Sequence, residues 1–346
     1  MKEGAPAMNT IQLDKLWQAG REFLGVRYPI LCGAMTWISD STLVKAVGRE
    51  GGFGCLAAGN MPGDMLAEEI ERCFDSASTP FAVNLVTIAP NFPAHKEAVL
   101  ASKAPVVIFA GNFPKRKDVA EMKAAGKKVV AFASTDSIAA QMVRFGVDAL
   151  ILEGSEAGGH IGHVSLIILL QQVLFKNPGV PIFVAGGIAT GRMMAHLLLM
   201  GAAGVQMGTR FVMSEECTAH PNLKARFAKA RAREAMSTPE YDKRLPIVAV
   251  RALKNKSSEE FSRLQFELLK QLDAGAIGHA EAQFQVESFW MGGLRKAAID
   301  GDVEHGSCMA GQSVGLVDRV QPMQAIIAEL ISDAEAELGA VKERLG

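Results

Sequence analysis

Eight short apolar runs recur along residues 28–210, and their rhythm restricts the fold of this chain more than any other feature. The runs begin roughly 25 residues apart, and few polar residues interrupt them. Continuous apolar character, without a polar residue at every second position, is typical of strands covered on both faces, as in a parallel sheet. The eight predicted strands are Tyr28–Leu31, Phe53–Leu56, Phe81–Leu85, Val106–Phe109, Val129–Phe132, Ala149–Leu152, Ile182–Ala185 and Gly204–Met207.

Amphipathic segments with helical periodicity separate these runs. Two clear examples are Asp64–Phe74 and Asp136–Phe145, and Gly146 closes the second as a C-cap. Eight strand–helix repeats of this size predict an α/β fold, the (β/α)8 TIM barrel. A doubly wound sheet is the alternative, but it usually has fewer strands and carries a glycine-rich fingerprint at its first turn, which this sequence lacks.

The sequence changes character after Arg210. Residues 215–280 are charged and helix-forming, with amphipathic segments at Asn222–Arg233 and Ser258–Asp273, and helical periodicity returns at 321–345. We therefore predict a barrel over residues 1–214, an inserted helical cap or substrate subdomain over 215–284, and a C-terminal segment, 285–346, that packs back on the barrel. A cap in this position could act as a lid over a substrate site.

Charge and cysteine content narrow the class of partner. The 36 basic and 37 acidic residues give a net charge of -1, so no overall field favours nucleic acid or an anionic membrane. The most apolar stretch, 181–209, contains Arg192, His196 and repeated glycines, which argue against a membrane span. Five dispersed cysteines indicate reduced thiols, and the N-terminus lacks the apolar run of a signal peptide, so we expect a cytoplasmic protein.

Glycines gather in the loops that follow the predicted strands, which form the functional face of a TIM barrel. Glycine lets a ligand approach the backbone and exposes its N–H groups, and the loops after strands seven and eight commonly bind phosphate. We therefore expect a phosphorylated ligand with an aromatic body, such as FMN, rather than tight turns alone. The loop segments are Gly33–Met35, Gly59–Asn60, Gly158–His160, Gly186–Gly187 and Gly208–Arg210.

His160 is the candidate catalytic residue. Most lone histidines are structural, but this one lies in a glycine-rich loop at the functional end of the barrel, where it could donate a proton to a developing enolate or nitronate. His163, Glu153 and Glu156 are near in sequence and could suggest a metal site. Because no helix holds the two histidines on one face, we predict no divalent metal and leave a monovalent cation open.

Two further polar features have both a structural and a functional interpretation. Asn84 ends an otherwise apolar strand, where its amide is either satisfied at the barrel rim or bonded to the edge of a flavin ring. The basic run Lys115–Lys117 follows the fourth strand, as a solvated helix start or as a contact for an acidic partner or a nucleotide phosphate.

Six segments occur together in one order, and the combination is far more specific than any one of them. They are Tyr28–Ile30, Gly33–Trp37, Pro80–Asn84, Glu153–Gly162, Ala185–Ala189 and Gly208–Phe211. From about residue 13 to about residue 335 the chain resembles the flavin-dependent family of the nitronate monooxygenases, formerly 2-nitropropane dioxygenases. That family also contains the FMN type of enoyl-acyl-carrier-protein reductase.

The later segments resemble the enoyl reductase branch of this family. Cys32 stands where many relatives carry glutamine, which puts one side-chain contact to the flavin in question, and Ala34 replaces a frequent glycine near the ring. The segments that resemble the reductase branch are Ala219–Asn222, Val250–Asn255, Gly301–Ser307 and Met309–Gln312.

The resemblance implies FMN as cofactor, NAD(P)H as reductant and His160 as the catalytic histidine. It implies reduction of a trans-2-enoyl thioester in fatty acid synthesis, with a small-molecule or carrier-protein-bound acyl chain in an apolar cleft between barrel and cap. The alternatives are a nitronate monooxygenase, an NAD(P)H:quinone reductase and a non-catalytic phosphate-ligand-binding barrel; a homodimer stays open. The implied flavin contacts are Gly33, Ala34, Met35, Asn84, Glu153, Gly158, Gly159, Ala185, Gly186, Gly187, Gly208 and Thr209.

Overall fold

Eight parallel strands close into a barrel in the order in which they occur along the chain. The computed structural model describes residues 11–59, 61–74, 79–245 and 247–346, so residues 1–10 of the N-terminal segment and Asn60 lie outside it. The strands are β1 (Ile30–Cys32), β2 (Phe53–Ala57), β3 (Phe81–Val86), β4 (Val106–Ala110), β5 (Lys128–Ala133), β6 (Ala149–Glu153), β7 (Gly159–His160), β8 (Ile182–Ala185), β9 (Gly204–Met207), β10 (Ala235–Ser237) and β11 (Val250–Leu253). The barrel consists of β1–β6, β8 and β9, and each overlaps one predicted run, which confirms the predicted TIM barrel.

Helices connect and cover the barrel strands. The second predicted example is confirmed at both ends: the Thr135 hydroxyl accepts the Ile138 N–H at its start, and Gly146 ends it with a φ of 88°. The first predicted helix, Asp64–Phe74, begins and ends one residue earlier in the structure, at Gly63 and Cys73. The helices are α1 (Ile11–Leu16), α2 (Gln18–Leu24), α3 (Ser41–Arg49), α4 (Gly63–Cys73), α5 (Phe92–Ala101), α6 (Arg116–Ala124), α7 (Asp136–Phe145), α8 (Leu166–Gln172), α9 (Gly191–Leu199), α10 (Thr209–Val212), α11 (Pro221–Ala228), α12 (Lys256–Asp273), α13 (His279–Arg295) and α14 (Met323–Leu345), with short 3-10 turns at Leu174–Lys176, Ala232–Glu234 and Gln312–Leu316 and a π-helical turn at Lys296–Asp300.

Both faces of the barrel strands are buried, which explains their continuous apolar character. In β4, Val106 and Ile108 belong to the core inside the barrel, whereas Val107 and Phe109 belong to the layer packed against the helices. Since successive side chains of a strand point to opposite faces, apolar residues are needed at every position. The same alternation places Leu31, Phe53 and Phe183 in the barrel interior.

The cap contains strands as well as helices, so its interpretation as helical was incomplete. Strands β10, β11 and β7 form an antiparallel sheet, in which Val250 pairs with His160. That pairing joins residues far apart in sequence, so no local pattern indicates it. The predicted boundary between residues 284 and 285 lies inside α13, whose side chains pack with those of α12; the rings of Phe261 and Trp290 lie 4.2 Å apart.

The C-terminal helix α14 packs against α9 on the outside of the barrel. The buried Glu337 carboxylate of α14 accepts hydrogen bonds from Arg192 and His196 of α9, each at 3.0 Å. Charge-assisted contacts of this kind, together with the buried apolar face of α14, fix the end of the chain to the barrel wall.

The described part of the chain has no helix long and apolar enough to cross a membrane. All five cysteines are free and buried. Burial raises the pKa of the Cys73 and Cys308 thiols to about 12, so both remain protonated and poorly nucleophilic near neutral pH.

Gly339→Ala is expected to stabilise the protein by about 0.5–1 kcal/mol. Gly339 lies inside α14, and a Cβ built there meets no described atom within 4 Å, so the methyl group gains helix propensity without a clash. Urea unfolding followed by circular dichroism measures the change. A lower unfolding midpoint than that of the wild type would contradict the expectation.

Candidate functional site

One cavity opens at the ends of the barrel strands where the glycine-rich loops begin. Its volume is about 390 Å³, within the range of about 300–1,000 Å³ that is common for small-molecule and cofactor pockets. All thirteen residues proposed from the sequence line it. They are Gly33, Ala34, Met35, Asn84, Glu153, Gly158, Gly159, His160, Ala185, Gly186, Gly187, Gly208 and Thr209.

Backbone forms much of the wall after β8 and beside β7. Gly186 and Gly187 have φ values of 96° and 71°, in the left-handed region that side chains rarely adopt. At Gly158, a Cβ would lie 2.5 Å from the carbonyl carbon of Ala310, so only glycine permits this approach. These loops bring peptide groups to the cavity surface, where a phosphorylated ligand could approach them closely.

Three polar side chains face the cavity from β3, β6 and β9, strands that are spaced around the barrel and do not pair with one another. Asn84, Glu153 and Gln206 line it, and none makes a side-chain hydrogen bond to another described residue. Gln206 was missed by the sequence interpretation, although it carries the same signal as Asn84, a lone polar residue in an apolar strand. Its amide lies beside Gly33, where a Cβ would come within 3.2 Å of it.

Desolvation raises the pKa of Glu153 to about 8. The carboxyl group is therefore largely protonated near neutral pH, and a neutral carboxyl can both donate and accept a hydrogen bond. With the amides of Asn84 and Gln206, it supplies uncharged donors and acceptors on the barrel side of the cavity. A planar heteroaromatic ring with N–H, N and C=O groups on its edge fits this set, and FMN has such a ring.

His160 lies on β7 and pairs with Val250 of the cap strand β11. Its Nε2 atom is closed off from solvent and has no hydrogen-bond partner among the described residues. The nearest carboxylate oxygen is Oε2 of Glu287 on α13, at 3.6 Å, which is just beyond hydrogen-bond distance. Nothing in the sequence pattern singled out Glu287, because only the folded cap brings α13 over β7.

The cap side of the cavity is largely apolar. The sequence predicted a cap here but did not identify the residues that line it. Two orphaned polar atoms interrupt it: the Nε1 of Trp290 and the hydroxyl of Ser307 are closed off from solvent without a partner in the described chain. Such atoms could bond a polar group of an otherwise apolar ligand. The apolar residues on this side are Leu223, Val248, Met291, Leu294 and Met309.

Several residues near His160 in sequence have structural positions outside this site. The Glu156 carboxylate accepts the Leu166 N–H at 3.0 Å near the start of α8, and His163 is exposed and does not line the cavity. Within the described ranges, no three His, Cys, Asp or Glu side chains are arranged to hold a metal ion. A monovalent cation stays a prediction.

The two remaining features of the sequence also have structural positions. Cys32 is buried and outside the cavity lining, and burial raises the pKa of its thiol. In the basic run, Lys115 is the residue before α6, and its N–H donates to Asp118 at 3.2 Å. The basic run therefore forms the start of helix α6, which is the structural one of the two interpretations given from the sequence.

Comparison with solved structures identifies relatives over almost the whole chain. FabK from Thermotoga maritima has a TM-score of 0.84 and 34% sequence identity, over 94% of this chain and 98% of that one. A nitroalkane oxidase from Streptomyces ansochromogenes has a TM-score of 0.77 and 26% identity, over 93% and 99% of the two chains.

Comparison of sequences also identifies relatives over almost the whole chain. A (3aS,4S,5R,7aS)-5-hydroxy-7a-methyl-1-oxo-octahydro-1H-indene-4-carboxyl-CoA dehydrogenase from Mycobacterium tuberculosis is 29% identical, over 92% of this chain and 96% of its own length. A probable nitronate monooxygenase from Staphylococcus aureus is 25% identical, over 92% and 98%. The family model of the nitronate monooxygenases matches residues 18–98 and 89–333. With the barrel and the cavity described above, this match shows that the chain belongs to the nitronate monooxygenase family of oxidoreductases.

Proposed function

We propose that this protein is an FMN-dependent oxidoreductase that reduces trans-2-enoyl thioesters at the expense of NAD(P)H. The observation that carries the proposal is a single cavity with two unlike sides. The barrel side of its lining has the glycine-rich backbone and the neutral polar set of Asn84, Glu153 and Gln206, and the cap side is largely apolar. His160, on the strand that pairs with β11 of the cap, lines the same cavity. The carboxyl-CoA name of the Mycobacterium tuberculosis relative supports a thioester as the substrate class.

Each part of the cavity has a role in this proposal. Gly186, Gly187, Gly208 and Thr209 would hold the phosphate of FMN, and Asn84, Glu153 and Gln206 would bond the ring edge. When bound, FMN would supply the hydride that is delivered to the β-carbon of the substrate. His160 would protonate the α-carbon or stabilise the enolate oxygen, and the apolar cap would exclude water from the acyl chain.

Oxidation of alkyl nitronates with oxygen is the second candidate, supported by the family match and the Staphylococcus aureus relative. The same histidine would serve there as a hydrogen-bonding or proton-transfer group. That reaction needs no nicotinamide, which separates the two candidates. Quinone reduction is the third outcome to be tested.

The decisive experiment is anaerobic reduction of the yellow protein with NADH or NADPH, followed by rapid mixing with one acceptor at a time. We expect crotonyl thioester to restore the oxidised flavin spectrum faster than propyl-2-nitronate or a quinone. If NAD(P)H is oxidised only with oxygen or a quinone and never with the thioester, the proposal is wrong. A protein that stays colourless with added FMN would contradict the cofactor assignment itself.

Gly208→Leu is expected to weaken FMN binding by about tenfold or more. The backbone at Gly208 has a negative φ, and a Cβ there meets only the Met35 side chain at ordinary contact distance, so the added side chain enters the cavity without backbone strain. Fluorescence titration of the cofactor-free protein with FMN measures the affinity. Gly339→Leu, on α14 away from the cavity, is the control; equal affinities in both variants would contradict the role of Gly208.

A further inference from the structure

The contact between Glu287 and His160 is incomplete in a way that points to a function. Nε2 of His160 is enclosed without a partner in the described chain, and a buried nitrogen left unpaired is destabilising. Oε2 of Glu287 lies 3.6 Å away, so an approach of a few tenths of an ångström would make a hydrogen bond. Both side chains line the cavity and both are only partly exposed.

The two ring nitrogens of His160 differ in their surroundings. Nε2 faces Glu287 and is closed off, whereas Nδ1 is not among the enclosed atoms and makes no hydrogen bond to a described residue. A substrate in the cavity can therefore reach Nδ1 and not Nε2. In a neutral imidazole one nitrogen donates and the other accepts, and a partner fixed on one side selects the tautomer.

Glu287 is free to act on His160 because no cation competes for it. Within the described ranges, its carboxylate makes no ion pair with a lysine or an arginine. Arg251, on the strand β11 beside β7, is already engaged: its guanidinium donates to the carbonyl oxygens of Ser155 and Ala235 at 3.0 and 2.6 Å. The other carboxyl of the cavity, that of Glu153, stands on the barrel side, and burial keeps it largely protonated near neutral pH.

We propose that Glu287 is a positioning residue for His160: its carboxylate holds Nε2–H, and Nδ1 is the nitrogen that transfers the proton to the substrate. The inference rests on the proposed function for the identity of the proton acceptor. A bound flavin reduced by NAD(P)H would supply the hydride for the new C–H bond at the β-carbon, and the Nδ1 proton of the imidazolium forms the new bond at the α-carbon. The ring is left neutral with its remaining proton on Nε2, bonded to Glu287, and solvent restores the proton on Nδ1.

In this arrangement His160 is the general acid, and a carboxylate on the side of its ring away from the substrate fixes its orientation. That carboxylate, Glu287, is contributed by the cap. Because Glu287 lies on α13 and His160 on β7, which pairs with strand β11 of the cap, the contact forms only when α13 is packed over this sheet. Placement of the cap therefore also sets the direction in which His160 presents its proton.

The tautomer of His160 gives a readout that does not depend on catalysis. We would record 15N spectra of histidine-labelled holoprotein at a pH where the ring is neutral, and assign His160 from the spectrum of His160→Gln. In the wild type the Nε2–H tautomer should predominate. Glu287→Leu should lower the ratio of Nε2–H to Nδ1–H at least about threefold, whereas Glu287→Gln, which keeps an acceptor oxygen, should retain most of it.

Steady-state kinetics provide a second test of the role of Glu287. Glu287→Leu should lower kcat for the enoyl thioester about tenfold or more with little change in KM, as expected when a general acid is misdirected. Glu281→Leu, an exposed carboxylate on the same helix, is the matched control for folding and should behave as the wild type. An Nδ1–H tautomer in the wild type, or an unchanged tautomer in a folded Glu287→Leu, would overturn the proposal. If the thioester is not a substrate at all, the tautomer still decides the role of Glu287 independently.

Discussion

His160→Gln should slow the transfer from reduced flavin to enoyl thioester about 10²–10⁴-fold, the range that a general acid contributes. Glutamine can fill the same space and accept a hydrogen bond, but it has no proton that it can give up near neutral pH. His160 belongs to β7, whereas the residues proposed to hold the phosphate follow β8 and β9, so FMN content and the rate of reduction by NAD(P)H should change little. Anaerobic stopped-flow absorbance resolves the two half-reactions separately.

His163→Gln is the matched control for this substitution. His163 is exposed, three residues further along the chain, and does not line the cavity. It should leave both half-reactions within about twofold of the wild type, because surface substitutions of this kind are usually close to neutral. If both variants lose the transfer rate equally, or if His160→Gln leaves it unchanged, His160 takes no part in the proton transfer.

Glu153→Gln should stabilise the cofactor-free protein at alkaline pH by about 2–4 kcal/mol relative to the wild type. The Glu153 pKa of about 8 in the folded state lies above the ordinary value of 4.5 that applies to the unfolded chain. Between these two values the folded state holds a proton that the unfolded state has lost, so wild-type stability falls as the pH rises. Glutamine has no proton to lose, and its variant lacks this decline.

Urea unfolding at pH 5 and at pH 9 measures the effect of Glu153→Gln. The difference between variant and wild type should be small at pH 5 and largest at pH 9. Glu281→Gln, which removes an exposed carboxylate, controls for the change in net charge. Parallel pH profiles for Glu153→Gln and wild type would show that the carboxyl ionises freely in the folded protein.

Local patterns were sufficient for the barrel because its strands have one requirement at every position. Since β4 buries Val106 and Ile108 on one side and Val107 and Phe109 on the other, its sequence is apolar throughout. The other barrel strands are also mainly apolar, and the polar exceptions Asn84, Glu153 and Gln206 line the cavity. Helix α7 was predicted to the residue, since Gly146 ends it with a left-handed backbone. Such signals act within a few residues, where the sequence can be interpreted directly.

The cap was harder to predict because its contacts join distant parts of the chain. Strand β11 forms by pairing with β7, and the pair Val250–His160 has no local signature. Helix α13 crosses the predicted boundary at residue 284, since burial of Val286 and Trp290 against α12 depends on a partner that the helix's own sequence does not specify. Tertiary packing, rather than propensity, decides where this subdomain ends.

The sequence by itself determined the barrel, the glycine-rich rim and the histidine beside it, because strand burial and loop glycines leave traces at fixed local spacing. Only the tertiary structure decided which polar groups share the cavity. Gln206 joins Asn84 and Glu153 through the closure of the barrel, and Glu287 reaches His160 through the packing of α13 over β7. The physical reason is that the relative position of residues far apart in the chain is set by the sum of all packing contacts between them.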